Sequence, residues 1–221
     1  MNIQQILRDS WFFYSRNILQ IALLCGPLIL LQAISAHLWE QSQGSKLEFG
    51  QSLLLGLLFS PLYQSVLIYF LAARSSGAVA GASQLFAAAL RIWPAFVLLT
   101  CLTQIATVLG LFLLIAPGVW LAVKLSLAGY LLVLRQQQPI EAMRESFRLT
   151  TGHFWNIVIL ALASFVPLLV IAVLLFGLIP SENVEGLVGV ALALPLGVVQ
   201  LFSTVVLFRY FMLLETTDKP A

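Results

Sequence analysis

Lys124 stands inside a long apolar stretch, and Gln32, Gln64, Gln104 and Gln200 stand inside four others. A lysine at the centre of a membrane span costs about 2.5–3.5 kcal/mol on insertion scales, so it is the default candidate for functional work. Lys124 lies seven residues past Pro117, roughly 10 Å along a helix. From that depth its stem can snorkel to the outer surface, find an internal hydrogen-bond partner, or line a path for a substrate or ion. Lys124, Gln104, Gln32 and Gln200 together form the candidate intramembrane polar site, with Thr103 and Thr107 near Gln104. One reading is a polar cluster at the bundle centre. The other is interhelical hydrogen bonding, worth roughly 0.6 kcal/mol per contact. No Asp or Glu falls within the spans to pair with Lys124, and proton-coupled carriers commonly use one.

Recognisable catalytic chemistry is absent. There is no phosphate-cradling glycine loop, no HExxH and no GxSxG nucleophile elbow. Cys25 and Cys101 both lie in apolar runs and read as buried free thiols, packed like small apolar residues. His37 and His153 are isolated and stand at predicted membrane edges. No catalytic, cofactor-binding or metal-binding residue is expected, and no cofactor is implied.

These residues are carried by an extreme composition. The chain has 221 residues, 61% of them apolar and only 9% charged, against about 25% charged in a soluble domain. Six apolar runs are each long enough to cross a bilayer as a helix, which takes roughly 20 residues. They cover about 18–38, 53–73, 93–116, 117–134, 155–179 and 187–214. Between the third and fourth, Ala116-Pro117-Gly118 predicts a hairpin, because Pro and Gly break a helix and permit reversal. Ala33, Ser35 and Ala36 imitate a signal cleavage site. With 17 residues before the first run and five spans after it, that run reads instead as an anchor. The expected fold is all-α: one integral domain over 1–221, a polytopic bundle of six transmembrane helices.

Orientation follows from lysine and arginine. Arg8, Arg16, Arg74, Arg91, Arg135, Arg144, Arg148, Arg209 and Lys219 all fall on one side, and only Lys46 on the other. The acidic residues divide five to four, so the bias is specific to the cations. Both termini are therefore expected in the cytoplasm. The spread of basic residues along one membrane face is explained by topology and gives no support for nucleic-acid binding.

Amphipathic helices are expected on the cytoplasmic face at about 2–16, 82–91 and 139–151. Ile3, Ile6, Leu7, Ser10, Trp11 and Tyr14 recur at helical spacing, as do Ile140, Met143, Phe147 and Phe154. Ile6-Leu7-Arg8-Asp9-Ser10-Trp11 and Ala142-Met143-Arg144-Glu145-Ser146-Phe147 share the order apolar, Arg, acid, Ser, aromatic. Leu85 to Arg91 is a looser match. Such helices lie in the headgroup plane, so Arg8, Arg144, Arg148, Trp11 and Phe147 form the candidate interfacial surface. The chain then divides into three parallel units, each an interfacial helix and two spans, which favours pseudo-threefold or serial packing around a common centre. Two small-residue faces, Gly118/Ala122/Ser126 and Gly189/Ala193/Gly197, are expected to pack within the chain. Pro167 and Pro195 are expected to kink the fifth and sixth spans.

Pro117-Gly118-Val119-Trp120, then Lys124, then Pro139-Ile140-Glu141-Ala142-Met143-Arg144-Glu145-Ser146-Phe147-Arg148-Leu149-Thr150 and Trp155 resemble the YciC-like family of bacterial inner-membrane proteins. They are also similar to the membrane domain joined to some glycerophosphodiester phosphodiesterases. The match is sharp over about 40 residues, and length and span number agree over the whole chain. The resemblance implies six spans in a bacterial inner membrane and no activity. The phosphodiesterase barrel is a separate soluble domain that so short and apolar a chain does not contain. The expected role is non-enzymatic, through contact with the anionic cytoplasmic leaflet or a membrane protein partner. The alternative is a small transporter or channel with a polar path around Lys124. A homo-oligomer is left open.

Overall fold

The computed structural model describes residues 3–43, 48–78, 80–178 and 187–218. Lys46, Glu182, Glu185 and Lys219, used above for orientation, lie outside the described residues. The described residues form eight helices and no strand. They are α1 (Ile3–Gln43), α2 (Glu48–Ser75), α3 (Ala82–Leu113), α4 (Ile115–Leu125), α5 (Ala128–Arg135), α6 (Pro139–Leu149), α7 (Phe154–Leu178) and α8 (Leu187–Asp218). Six segments are long and apolar enough to cross a membrane: Ile3–Trp39, Leu53–Ser75, Ala82–Leu113, Ile115–Arg135, Phe154–Ile171 and Leu192–Thr216. The chain is an all-α, multi-pass membrane bundle.

Successive spans pack as neighbours. α1 lies against α8 and α2, α2 against α3, and α3 against α4; α7 touches both α4 and α8 and so closes the ring. Inside it, α2 meets α5 and α8, and Leu67, Leu131, Val206 and Phe211 are fully buried. The spans thus pack in series, each beside its neighbours in the chain.

Two of the expected interfacial helices are not separate elements. Residues 3–16 continue into the first span as one helix, and 82–91 continue into the third. The first junction carries neither Pro nor Gly, and at the second the helix runs on through Pro94. Only 139–149 is a helix of its own. It is set off by Gln136, whose φ of 51° ends α5 in the left-handed region, and by Pro139 in the first turn of α6. The face α6 buries also differs from the expected one. Ala142, Ser146, Leu149 and Thr150 are buried, Met143 and Phe147 are half-buried, and Ile140 is exposed. A small-residue face lets α6 approach α3, α4 and α5 closely, leaving part of the bulky apolar face outward.

The reversal between the third and fourth spans falls at Leu114, not at Ala116–Gly118. Leu114 alone is extended, with φ −170° and ψ 157°. The proline ring crowds the carbonyl four residues earlier and brings no N–H to it, which favours ending the helix at Leu113, although Pro27, Pro61, Pro94, Pro167 and Pro195 are each carried inside a continuous helix. The next helix can begin before Pro117, because the first-turn N–H groups need no intrahelical partner. The hairpin closes on two glycines. A Cβ on Gly110 would sit 2.8 Å from the Gly118 Cα, and one on Gly118 would sit 2.7 Å from the Leu111 amide nitrogen. The other small face is also used within the chain, where Gly197 meets Ile29 of α1. α7 and α8 run unbroken through Pro167 and Pro195.

Gly118→Ala is expected to lower the thermal unfolding midpoint in detergent, with a cost of about 1–3 kcal/mol for pushing two backbones apart. Gly56→Ala, in α2 with nothing within 4 Å of its new Cβ, is expected to leave the midpoint unchanged or raise it by the helix propensity of alanine, at most about 1 kcal/mol.

Candidate functional site

Lys124 is buried at 6% exposure, and it has an internal partner. The fourth span breaks at Ser126–Leu127, between α4 and α5. In an unbroken helix the Lys124 carbonyl would accept from residue 128. Here it accepts from the Ser146 hydroxyl at 2.7 Å and the Thr150 hydroxyl at 3.4 Å, both at the far end of α6 from the 136–138 turn. α6 therefore runs back antiparallel along α5. Its descent brings Thr151 and Phe147 to the lysine. The Lys124 ammonium donates to Thr151 Oγ1 at 3.0 Å. It lies 5.1 Å from the Phe147 ring centroid and 5.9 Å from that of Trp120, within cation–π range. Trp120 and Phe147 meet edge to face at 5.0 Å. As the last-turn cation of α4, Lys124 also faces the negative end of the helix dipole.

The four glutamines fall into two grooves, and Lys124 lines neither. Gln32 and Gln200 line one of about 280 Å³ between α1, α2 and α8, with Tyr63 and Ala193. Gln64 and Gln104 line another of about 340 Å³ bounded by α2, α3, α5 and α8, beside the break in the fourth span. Thr103 is on its wall and Thr107 is not among its lining residues.

At the end of the bundle that carries the termini, ion pairs join distant segments. Arg209 of α8 lies 3.5 Å from Asp9 of α1. Arg135 bridges Glu215 at 2.8 Å and Glu145 at 3.3 Å, and Arg148 meets Glu145 at 2.9 Å. The hydrogen bond from Arg148, then the charges of Arg148 and Arg135, hold the Glu145 carboxyl below the usual carboxylate range. Beside the Asp9–Arg209 pair, Arg8, Arg16, Asn17, Phe12 and Phe13 complete a groove of about 580 Å³. Phe12 is 65% exposed on its wall, and the Arg16 guanidinium lies 6.0 Å from the Phe12 ring centroid; Trp11, on the same helix, is 60% exposed.

The candidate interfacial residues are thus divided. Arg8 lines this α1–α8 groove, while Trp11 is not among its lining residues and meets Phe202 of α8 edge to face. Arg144 and Arg148 are exposed on α6, and Phe147 turns inward to Lys124. Arg16, Asn17 and Arg209 were not singled out as site residues by the sequence. Arg209 is 200 residues from Asp9, and no local pattern signals that pairing. Ser146 did carry a signal, since it and Arg144 repeat Ser10 and Arg8 in the two matching Arg–acid–Ser segments. Among the described residues no group of three His, Cys, Asp or Glu is placed to hold a metal.

Ser146→Ala is expected to lower stability by about 1–2 kcal/mol, since it leaves the Lys124 carbonyl with only the long Thr150 contact. Lys124→Met keeps the stem and removes a buried charge, so it is expected to leave the midpoint unchanged or raise it. Thermal unfolding of both variants in detergent makes the comparison. No family model, no curated protein and no solved structure matches this chain.

Proposed function

We propose that this chain is a bacterial inner-membrane protein with both termini in the cytoplasm, working without catalysis by holding anionic phospholipid headgroups at its basic end. The observation that carries this reading is the α1–α8 groove. Three arginines, Arg8, Arg16 and Arg209, surround it, and a single acid, Asp9, already pairs with Arg209. Arg8 and Arg16 have no ion pair among the described residues. Guanidinium groups match phosphate in shape and charge, and juxtamembrane cations are each worth about 1 kcal/mol toward an anionic leaflet. Exposed Trp11 supplies an amphipathic ring of the kind that sits at headgroup level, and exposed Phe12 adds an apolar one. The nine-to-one distribution of basic residues supports the orientation, and the resemblance over 117–155 supports the inner membrane.

Orientation is tested by reporter fusions in a bacterial host. Fusions after Gly77 and Gln137 are expected to report cytoplasm, and fusions after Gly44 and Glu182 the opposite side; a cytoplasmic signal at either of the last two refutes it. The lipid reading is tested by extracting the phospholipid that co-purifies from native membranes. Arg8→Gln with Arg16→Gln is expected to lower bound phosphatidylglycerol and cardiolipin roughly fivefold per arginine removed, with phosphatidylethanolamine unchanged. An unaltered ratio of anionic to zwitterionic lipid overturns it.

A further inference from the structure

We infer that the groove between α2, α3, α5 and α8 is a binding site for an uncharged, hydroxyl-bearing ligand at membrane depth. Gln104 lies thirteen residues beyond Arg91 and Gln64 ten residues before Arg74, roughly 20 Å and 15 Å along their helices, in a hydrocarbon core about 30 Å thick. Gln104 is exposed and is flanked by exposed Ile105 and Val108, so the groove opens toward lipid. Neither glutamine amide has a hydrogen-bond partner among the described residues. In hydrocarbon, such a group costs several kcal/mol. Two of them on facing helices call for a polar occupant between them.

The lining decides what that occupant is. No charged side chain borders the groove, so neither an anion nor a cation would find a counter-charge. The hydroxyls of Thr100, Thr103, Ser126 and Ser203 each donate to a carbonyl of their own chain segment at 2.7–3.0 Å. Their lone pairs remain to accept. Each glutamine adds two donors and an acceptor. A ligand that both donates and accepts through neutral groups matches this set, and a glycerol-like array of hydroxyls does so best. The volume of about 340 Å³ suits a headgroup or small solute, at the low end of ligand pockets. The break in the fourth span, at Ser126, lies on the same wall. Irregular backbone at this depth is tolerated where it is buried in protein or lines a wet cavity.

The ligand chemistry has two sources, a neutral lipid headgroup or a free polyol, and one experiment separates them. The purified full chain is placed in phosphatidylcholine nanodiscs with photoactivatable dioleoylglycerol, and in vesicles whose swelling in glycerol is followed by light scattering. A lipid source is expected to give cross-links within residues 60–68 or 96–104, well above those of a photoactivatable phosphatidylglycerol. A solute source is expected to give glycerol influx above protein-free vesicles. Either signal should fall roughly tenfold in Gln64→Leu with Gln104→Leu, the loss of two ordinary hydrogen bonds. If that variant does not fold, Thr103→Val with Ser203→Ala makes the same comparison. Equal labelling by the charged analogue, both signals at background, or a signal unchanged in folded variants overturns the assignment.

Discussion

A membrane offers no water to an unpaired backbone group, so every break in a spanning helix must be answered from within the protein. The rest of this structure depends on how the break at Ser126–Leu127 is answered. It frees the carbonyl of Lys124, and the Ser146 hydroxyl takes it. That one bond fixes α6 against α4. It brings Phe147 and Thr151 around the ammonium. It also sets Glu145 beside Arg135, which reaches on to Glu215 at the end of α8. A charge that is expensive in a span becomes tolerable through a hydroxyl, two aromatic faces and the C-terminal end of its own helix. The same break leaves Ser126 on the wall of the glutamine groove.

The charges at the other level of organisation do two kinds of work. Asp9, Glu145 and Glu215 bind Arg209, Arg148 and Arg135 and so tie α1, α5, α6 and α8 together at one end. These pairs are partly solvated, and each is individually weak. Their value is register, since they join segments up to 200 residues apart. Arg8, Arg16, Arg91 and Arg144 remain with neither an ion pair nor a side-chain hydrogen bond among the described residues, while Arg74 bonds Gln20. Cations left over after internal pairing are those available to a headgroup, and two of the four stand in one groove. At the α3–α4 hairpin the surface is wholly different. Phe112, Leu113, Leu114 and Ile115 are 70–85% exposed, a tip that only hydrocarbon or another apolar surface would solvate.

Composition and periodicity made the six spans legible, because a run of about 20 apolar residues has few other stable fates. The Pro117 signal located the hairpin to within a few residues. Its exact hinge was displaced because proline acts on the carbonyl four positions earlier. The interfacial helices were harder. Amphipathic lead-ins at 3–16 and 82–91 look alike whether or not they continue into the span, and α3 continues even through Pro94. For α6 the sequence showed a bulky apolar face, while close packing selected the small one.

By itself the sequence determined that this chain is helical, apolar beyond the needs of a soluble core, and strongly asymmetric in its arginines. Each of these follows from residue type and order along one dimension. Only the tertiary structure decided which polar residues meet. It separated Lys124 from the glutamines, split the glutamines into two grooves, and joined Arg8 and Arg16 to Arg209. Those distances are set by how tilted helices cross and where one of them breaks, and side chains far apart in sequence have no local signal of their meeting.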